Sequence, residues 1–133
     1  MSVKAVAKGV SISPRKVGVV AALVRGRSVS DALIILDHTP RRSALAVKKV
    51  IASAAANAEH NHSYKPGTLL ISEISVTHGP RIKRYRPAAR GSANVFQRKS
   101  SHIRVVLDGE KRAPKKPATA KQAAKTETKK EDK

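Results

Sequence analysis

The chain has no cysteine and no tryptophan, and only one phenylalanine and two tyrosines. Without cysteine there is no disulfide, no thiolate zinc site and no thiol nucleophile. The aromatic shortage excludes a further device. Proteins that grip single-stranded nucleic acid stack bases on several rings, and Tyr64, Tyr85 and Phe96 cannot form such a platform. Long apolar runs are missing too, since no stretch approaches the ~18 residues of a membrane span. The opening MSVKAVAKGVSISPRK interrupts every apolar run with lysine or serine, unlike a signal peptide. A soluble intracellular protein with no membrane partner is expected.

Acids are scarce as well. Nine stand against 28 lysines and arginines, for a formal net charge of +19. A compact protein with that surplus repels itself, so a polyanionic partner is implied, with nucleic acid first. A membrane surface would instead require a long amphipathic helix with bulky apolar anchors, which the sequence does not offer. With so few rings, binding should rest on phosphate contacts and shape. The length of 133 residues suits one domain.

The pattern along the chain mixes helices and strands. Val3 to Val10 suits a short exposed strand. Ser13-Pro14 reads as a helix start, with Ser as cap and Pro at the first helical position. Val17, Val20, Ala21 and Val24 form one face of that helix, and Gly26 ends it. Ser30-Asp31 is expected to cap a second, short helix through Leu33, Ile34 and Leu36. Thr39-Pro40 opens a third, from about Arg41 to His60, whose apolar face is rich in alanine. Lys65-Pro66-Gly67 is a turn. Leu69 to Thr77 alternates, with Leu70, Ile74 and Val76 on one face and Ser72 as an exception. Ile103, Val105 and Leu107 alternate likewise, and the two strands are expected to pair antiparallel. Residues 1–107 thus read as one domain with an arm at about 78–101. Residues 108–133, with no bulky apolar residue from Pro114 on, read as a disordered basic tail.

The connection Gly79 to Lys99 carries the functional argument. It holds Arg81, Lys83, Arg84, Arg86, Arg90, Arg98 and Lys99 and no acid. It is too long for an ordinary hairpin turn of two to five residues. Its apolar residues are few: Ile82, Tyr85, Val95 and Phe96. Two strands of ~12 residues would reach ~40 Å, beyond a globule whose radius of gyration is ~12 Å. Such an arm must leave the globule, and a lone hairpin is marginal in water. Seven cations make RNA the partner that would order it. The competing reading is a solvated, flexible basic loop.

The sequence resembles the bacterial large-subunit ribosomal protein family number twenty-two. The resemblance covers about residues 3–107. It rests on ISPRKV at Ile12–Val17, LVRG at Leu23–Gly26, SAAANAEHNH at Ser53–His62, GPRIKRYRPAARGSA at Gly79–Ala93 and SHIRVVL at Ser101–Leu107. It implies an α+β fold: three helices on a small three-stranded antiparallel sheet, with a long hairpin buried in rRNA. It implies that the tip, Pro87, Ala88, Ala89, Arg90, Gly91 and Ser92, lines the polypeptide exit tunnel, near where macrolides act. The implied partners are large-subunit rRNA, neighbouring ribosomal proteins and the nascent polypeptide, in the cytoplasmic ribosome and without homo-oligomerisation. The tip departs from the family pattern, with Ala88 and Ser92 where arginines are usual.

Two smaller signals remain. Arg15 and Lys16 sit at a helix start, where the dipole disfavours cations and a phosphate would offset the cost. They are either solvated or phosphate-bound, and the resemblance favours rRNA contact. Glu59-His60-Asn61-His62 suggests a metal or nuclease cluster by composition, but neighbours one and two apart on a helix do not share a face. A helix end is the plainer reading. His78 and His102 flank the arm and are placed to face each other across it. No phosphate loop, paired carboxylates or nucleophilic triad appears, so no catalytic residue, metal or cofactor is expected. The alternative function is a DNA-architectural protein that clasps duplex with the basic arm and wedges Pro87 between bases.

Overall fold

A computed structural model describes residues 2–110. The chain runs β1 (Val3–Val10), α1 (Pro14–Val24), α2 (Val29–His38), α3 (Arg42–His62), β2 (Leu70–Pro87) and β3 (Ala93–Asp108), with 3-10 turns at Pro66–Thr68 and Ala89–Gly91. The strands form one antiparallel sheet in the order β1-β3-β2. The fold is α+β, as the sequence implied.

One face of the sheet meets the helices. Ile71, Ile74, Ile103, Val105 and Leu107 are buried against Val17, Val20 and Val24 of α1 and Val47, Ile51, Ala54 and Ala58 of α3. Alanine on the inner side of α3 lets its backbone approach closely, so a thin sheet and three helices close over one core. The free edge of β2 is covered at its base. Gly26 and Val29 donate to Ile71 and Leu69 carbonyls, Ile71 donates back to Arg27, and the Arg25 guanidinium bonds the Ile74 carbonyl at 3.0 Å. Covering an edge removes a template for unwanted strand pairing.

Two bulges in β2 set which residues face where. The first lies between Ile71 and Glu73, so Ser72 has no partner in β3. The inward series is therefore Leu69, Ile71, Ile74 and Val76, and Leu70 is exposed. The expected face of Leu70, Ile74 and Val76 is corrected by this one extra residue, because a bulge inverts the period-2 pattern. The second bulge sets Gly79 and Pro80 against Ser100, between the pairs His78–Ser101 and Arg81–Lys99. There a Cβ on Gly79 would stand 2.6 Å from Ser100 Oγ and 3.1 Å from the Ser100 carbonyl carbon, while Ser100 Oγ donates to the Pro80 carbonyl at 2.6 Å. Gly79→Ala should therefore break that bond and re-aim the arm. The expected loss is ~1–2 kcal/mol by thermal unfolding, with altered amide shifts at His78–Arg81; unchanged shifts would mean that the bulge is compliant.

Several boundaries differ from the sequence reading. The second helix is capped by Ser28, whose Oγ accepts from the Asp31 amide at 3.2 Å, not by Ser30. Ser13 occupies the cap position of α1, but its side chain caps nothing. His78 and His102 do not face each other: His78 pairs with Ser101 and His102 with Thr77, so they lie on opposite faces. His102 Nδ1 instead accepts from the Gly9 amide at 2.9 Å, at a bulge in β1 where Gly9 takes a φ of 71°. Asp108 to Glu110, assigned by sequence to the tail, belong to the fold. Asp108 pairs with Leu70, and Glu110 accepts from the Lys65 amide and donates to Thr68 Oγ1. The rest of the expected tail, 111–133, lies outside the described residues.

Candidate nucleic-acid interface

Beyond the second bulge the two strands leave the globule as an arm. Every residue from Pro80 to Lys99 is exposed. From Gly79 to Pro87 it extends on the order of 30 Å at ~3.3 Å per residue, somewhat less than the sequence estimate because the tip loop takes up part of the length. Pairing is continuous from Arg81–Lys99 to Pro87–Ala93.

The register sorts the arm's cations. Residues directly opposite each other in a pleated pair share a face. One face carries Arg81 opposite Lys99, Lys83 opposite Gln97, and Tyr85 opposite Val95. The other carries Arg98 opposite Ile82, Arg84 opposite Phe96, and Arg86 opposite Asn94. Each face thus presents three cations and an apolar patch, and neither presents an acid. Arg81 directly opposite Lys99 is a like-charge pair, which destabilises a ladder unless counter-charge is near. The arm is held by its continuous backbone ladder, with Tyr85 set opposite Val95 and the Arg86 guanidinium 5.7 Å from the Phe96 ring centroid.

The tip is compact. The Ala88 amide donates to the Ser92 carbonyl at 2.8 Å, and the Ser92 amide and hydroxyl both donate to the Ala89 carbonyl, at 3.3 and 2.8 Å. Closing so tight a loop requires left-handed backbone at Arg90 (φ 57°) and Gly91 (φ 72°). Glycine takes that conformation freely, whereas Arg90 does so at a cost of order 1 kcal/mol. The Ser92 hydroxyl thus adds one side-chain bond to a turn that two backbone bonds already close.

The remaining site candidates lie on the globule. Arg15 and Lys16 are exposed in the first turn of α1, away from the arm cations in sequence but at the arm end of the sheet, since β1 ends with Val10 paired to Ser101. Glu59, His60 and His62 are exposed at the end of α3, where Ser63 adopts left-handed backbone. His62 packs edge-on to Tyr64, with ring centroids 6.4 Å apart. Among the described residues no group of three or more His, Cys, Asp or Glu could hold a metal, and no helix is long and apolar enough to cross a membrane.

Sequence reasoning overlooked a second basic cluster. Lys16, Arg41 and Arg42 line a cleft of about 500 Å³ with Ser11, Ile12, Ser13 and Ser43. A visible signal existed: two helices begin with cations and have no acid in the first turn. What the sequence could not show is that both starts open onto the same cleft.

These features define a class: a small basic α+β protein whose charge is carried outward on a two-faced β-arm. Residues 5–108 match the family described as Ribosomal protein L22p/L17e. The large ribosomal subunit protein uL22 of Desulforamulus reducens is 48% identical over 111 residues, spanning 84% of this chain and 98% of that relative. The chain belongs to this ribosomal protein family, whose members are structural constituents of the large ribosomal subunit in the cytoplasm.

Proposed function

We propose that the chain binds large-subunit rRNA, with the globule on the RNA surface and the arm threaded between RNA segments. The observation that carries this reading is the arm's register: three cations on each face, no acid, and a like-charge pair at Arg81–Lys99. A basic hairpin lying on a flat surface needs charge on one face only. Charge on both faces fits phosphates on both sides. Neutralised phosphates release counterions, which favours association, and the arm's self-repulsion is relieved at the same time. Arg81, Lys83, Arg84, Arg86, Arg98 and Lys99 are the arm's phosphate contacts in this reading, Arg90 serves the tip, and Arg15 and Lys16 serve the globule. The role is architectural and single-copy, without catalysis, metal or cofactor. Neighbouring ribosomal proteins complete its surroundings.

The tip, Pro87 to Ser92, has a different role. It carries one cation and otherwise small side chains, so it contributes shape more than charge. In this reading it lines the exit tunnel and meets the nascent polypeptide. The test is site-specific photocrosslinking inside assembled ribosomes, from Gln97 on one face and Asn94 on the other. Both should yield rRNA adducts, to different segments. Adducts from one face only would mean that the arm lies on a surface, and adducts from neither would remove RNA as its partner.

A further inference from the structure

The sheet has one open edge in the globule. β1 stands at the end of the order β1-β3-β2, and among the described residues no segment but β3 bonds the backbone of Val3 to Lys8. The base of β2, by contrast, is covered by Gly26 to Val29. In an antiparallel pair alternate residues turn their amide and carbonyl away from the partner. β1 therefore presents a row of backbone groups that can template another strand. Beside them lies an apolar groove of about 280 Å³, between Ala5, Val6 and Ala7 of β1 and Ala46, Val50 and Ser53 of α3. Consecutive strand residues point to opposite faces, so a groove lined by all three β1 residues runs along the strand's edge. Ala46, Val50 and Ser53 share one face of α3 by their spacing. Small side chains on both walls keep the space open, and Val6 is left 53% exposed.

Charge narrows the occupant. No acid lines the groove, Lys49 stands in its wall, and Lys4 and Lys8 are exposed on either side of Val6. A second copy fits poorly. Antiparallel pairing centred on Val6 sets Lys4 of each chain opposite Lys8 of the other, and like charges directly opposite destabilise a ladder. Residues 111–133 of this chain fit no better, with nine lysines and arginines against three acids and no bulky apolar side chain. We propose that the β1 edge takes up a strand from a neighbouring protein: an extended segment with bulky apolar side chains opposite Ala5 and Ala7 and carboxylates opposite Lys4 and Lys8. Main-chain bonds then supply affinity and the alternate side chains specificity. That the neighbour is a ribosomal protein rests on the role proposed above; the capacity of the edge to add a strand does not.

The two parts are tested separately on the full chain. The probe is a synthetic peptide with the core Glu-Leu-Val-Leu-Glu. Titrated into isotope-labelled protein, it should give saturable amide shifts confined to residues 4–10 and 46–53, with cross-strand nuclear Overhauser contacts to β1. Lysines in place of both glutamates should weaken binding about tenfold, and Lys4→Glu with Lys8→Glu should reverse that preference. Both lysines are exposed, and thermal unfolding checks that the variant remains folded. Two further peptides are N-methylated, one on each alternate set of amides. Methyl groups on the set facing β1 should abolish binding, and those on the other set should not. Absence of shifts, equal behaviour of the two methylated peptides, or indifference to the charge reversal overturns the proposed strand addition. A photocrosslinker at Val6 in assembled ribosomes then tests the neighbour. Adducts to another ribosomal protein are expected, and adducts to rRNA alone, or none, overturn a protein partner at this edge. Failure of the RNA reading is distinct, because it shows at Gln97 and Asn94 on the arm.

Discussion

Truncating Ile51 to alanine should cost the protein about 2–5 kcal/mol of folding stability, measured as a fall in the urea midpoint with unchanged slope. Ile51 is fully buried at the middle of α3. Its neighbours one and two turns along the same face, Ala54 and Ala58, are also fully buried and have no length to swing into the space left behind. A site that cannot collapse keeps its cavity, and the cavity adds to the transfer energy forfeited with the side chain. Set against a total stability of ~5–15 kcal/mol, the loss is large. Ile51→Val, which removes one methylene, should cost ~0.5–1.5 kcal/mol and provides the graded control. A loss below ~1 kcal/mol for the alanine variant would mean that the alanine-lined face of α3 is not the centre of the core. The same variant should weaken rRNA binding only through the fraction unfolded, because β2 and β3 carry the arm out of the core as continuous strands.

The core was legible because helices announce their faces by spacing. Val17, Val20, Ala21 and Val24 recur every three or four residues, and all four are buried. Strand β3 was legible for the same reason, with period two: Ile103, Val105 and Leu107 are buried. β2 was half legible. After Ser72 its apolar pattern reads correctly, with Ile74 and Val76 inward, but before it the expected Leu70 is exposed and Leu69 and Ile71 are inward, because alternation cannot reveal a bulge without the partner strand. The Ser28 cap was missed because Ser28 and Ser30 are two residues apart and both precede a helical run; only the backbone at Val29 decides between them. The arm's existence followed from charge and length alone. The division of its cations between two faces did not, since that depends on the register and on the bulge at Gly79-Pro80. The basic cleft lies further still from a linear reading, because Lys16 and Arg41 are brought together only by the packing of two helices.

Replacing Lys83, Arg84 and Arg86 together by alanine should sharply weaken rRNA association and flatten its dependence on salt, while the globule stays folded. All three are exposed on the arm and none bonds to the globule. Each phosphate left without its cation should reduce the log–log salt slope by ~0.7–0.9, so three independent phosphates change it by ~2–3. The register makes the prediction finer. Lys83 lies on one face, Arg84 and Arg86 on the other. Lys83→Ala alone should free about one phosphate, and Arg84→Ala with Arg86→Ala about two, with the effects adding because the faces meet different phosphates. Arg86 also lies over Phe96, so its loss should loosen the free arm by roughly 0.5–1 kcal/mol, an effect insensitive to phosphate. Changes at the tip should follow other physics. Gly91→Ala strains a turn that requires left-handed backbone, and Ser92→Ala removes its one side-chain bond, to the Ala89 carbonyl. Neither removes a cation, so rRNA affinity and its salt slope should hardly change. If the tip lines the tunnel, its altered shape should instead change the passage of nascent chains or the response to macrolides. Salt-titrated binding and macrolide inhibition of translation, measured on both sets of variants, separate anchoring from lining. An unchanged slope in the triple variant would show that these cations face solvent, and a two-faced basic arm would then need a partner other than RNA.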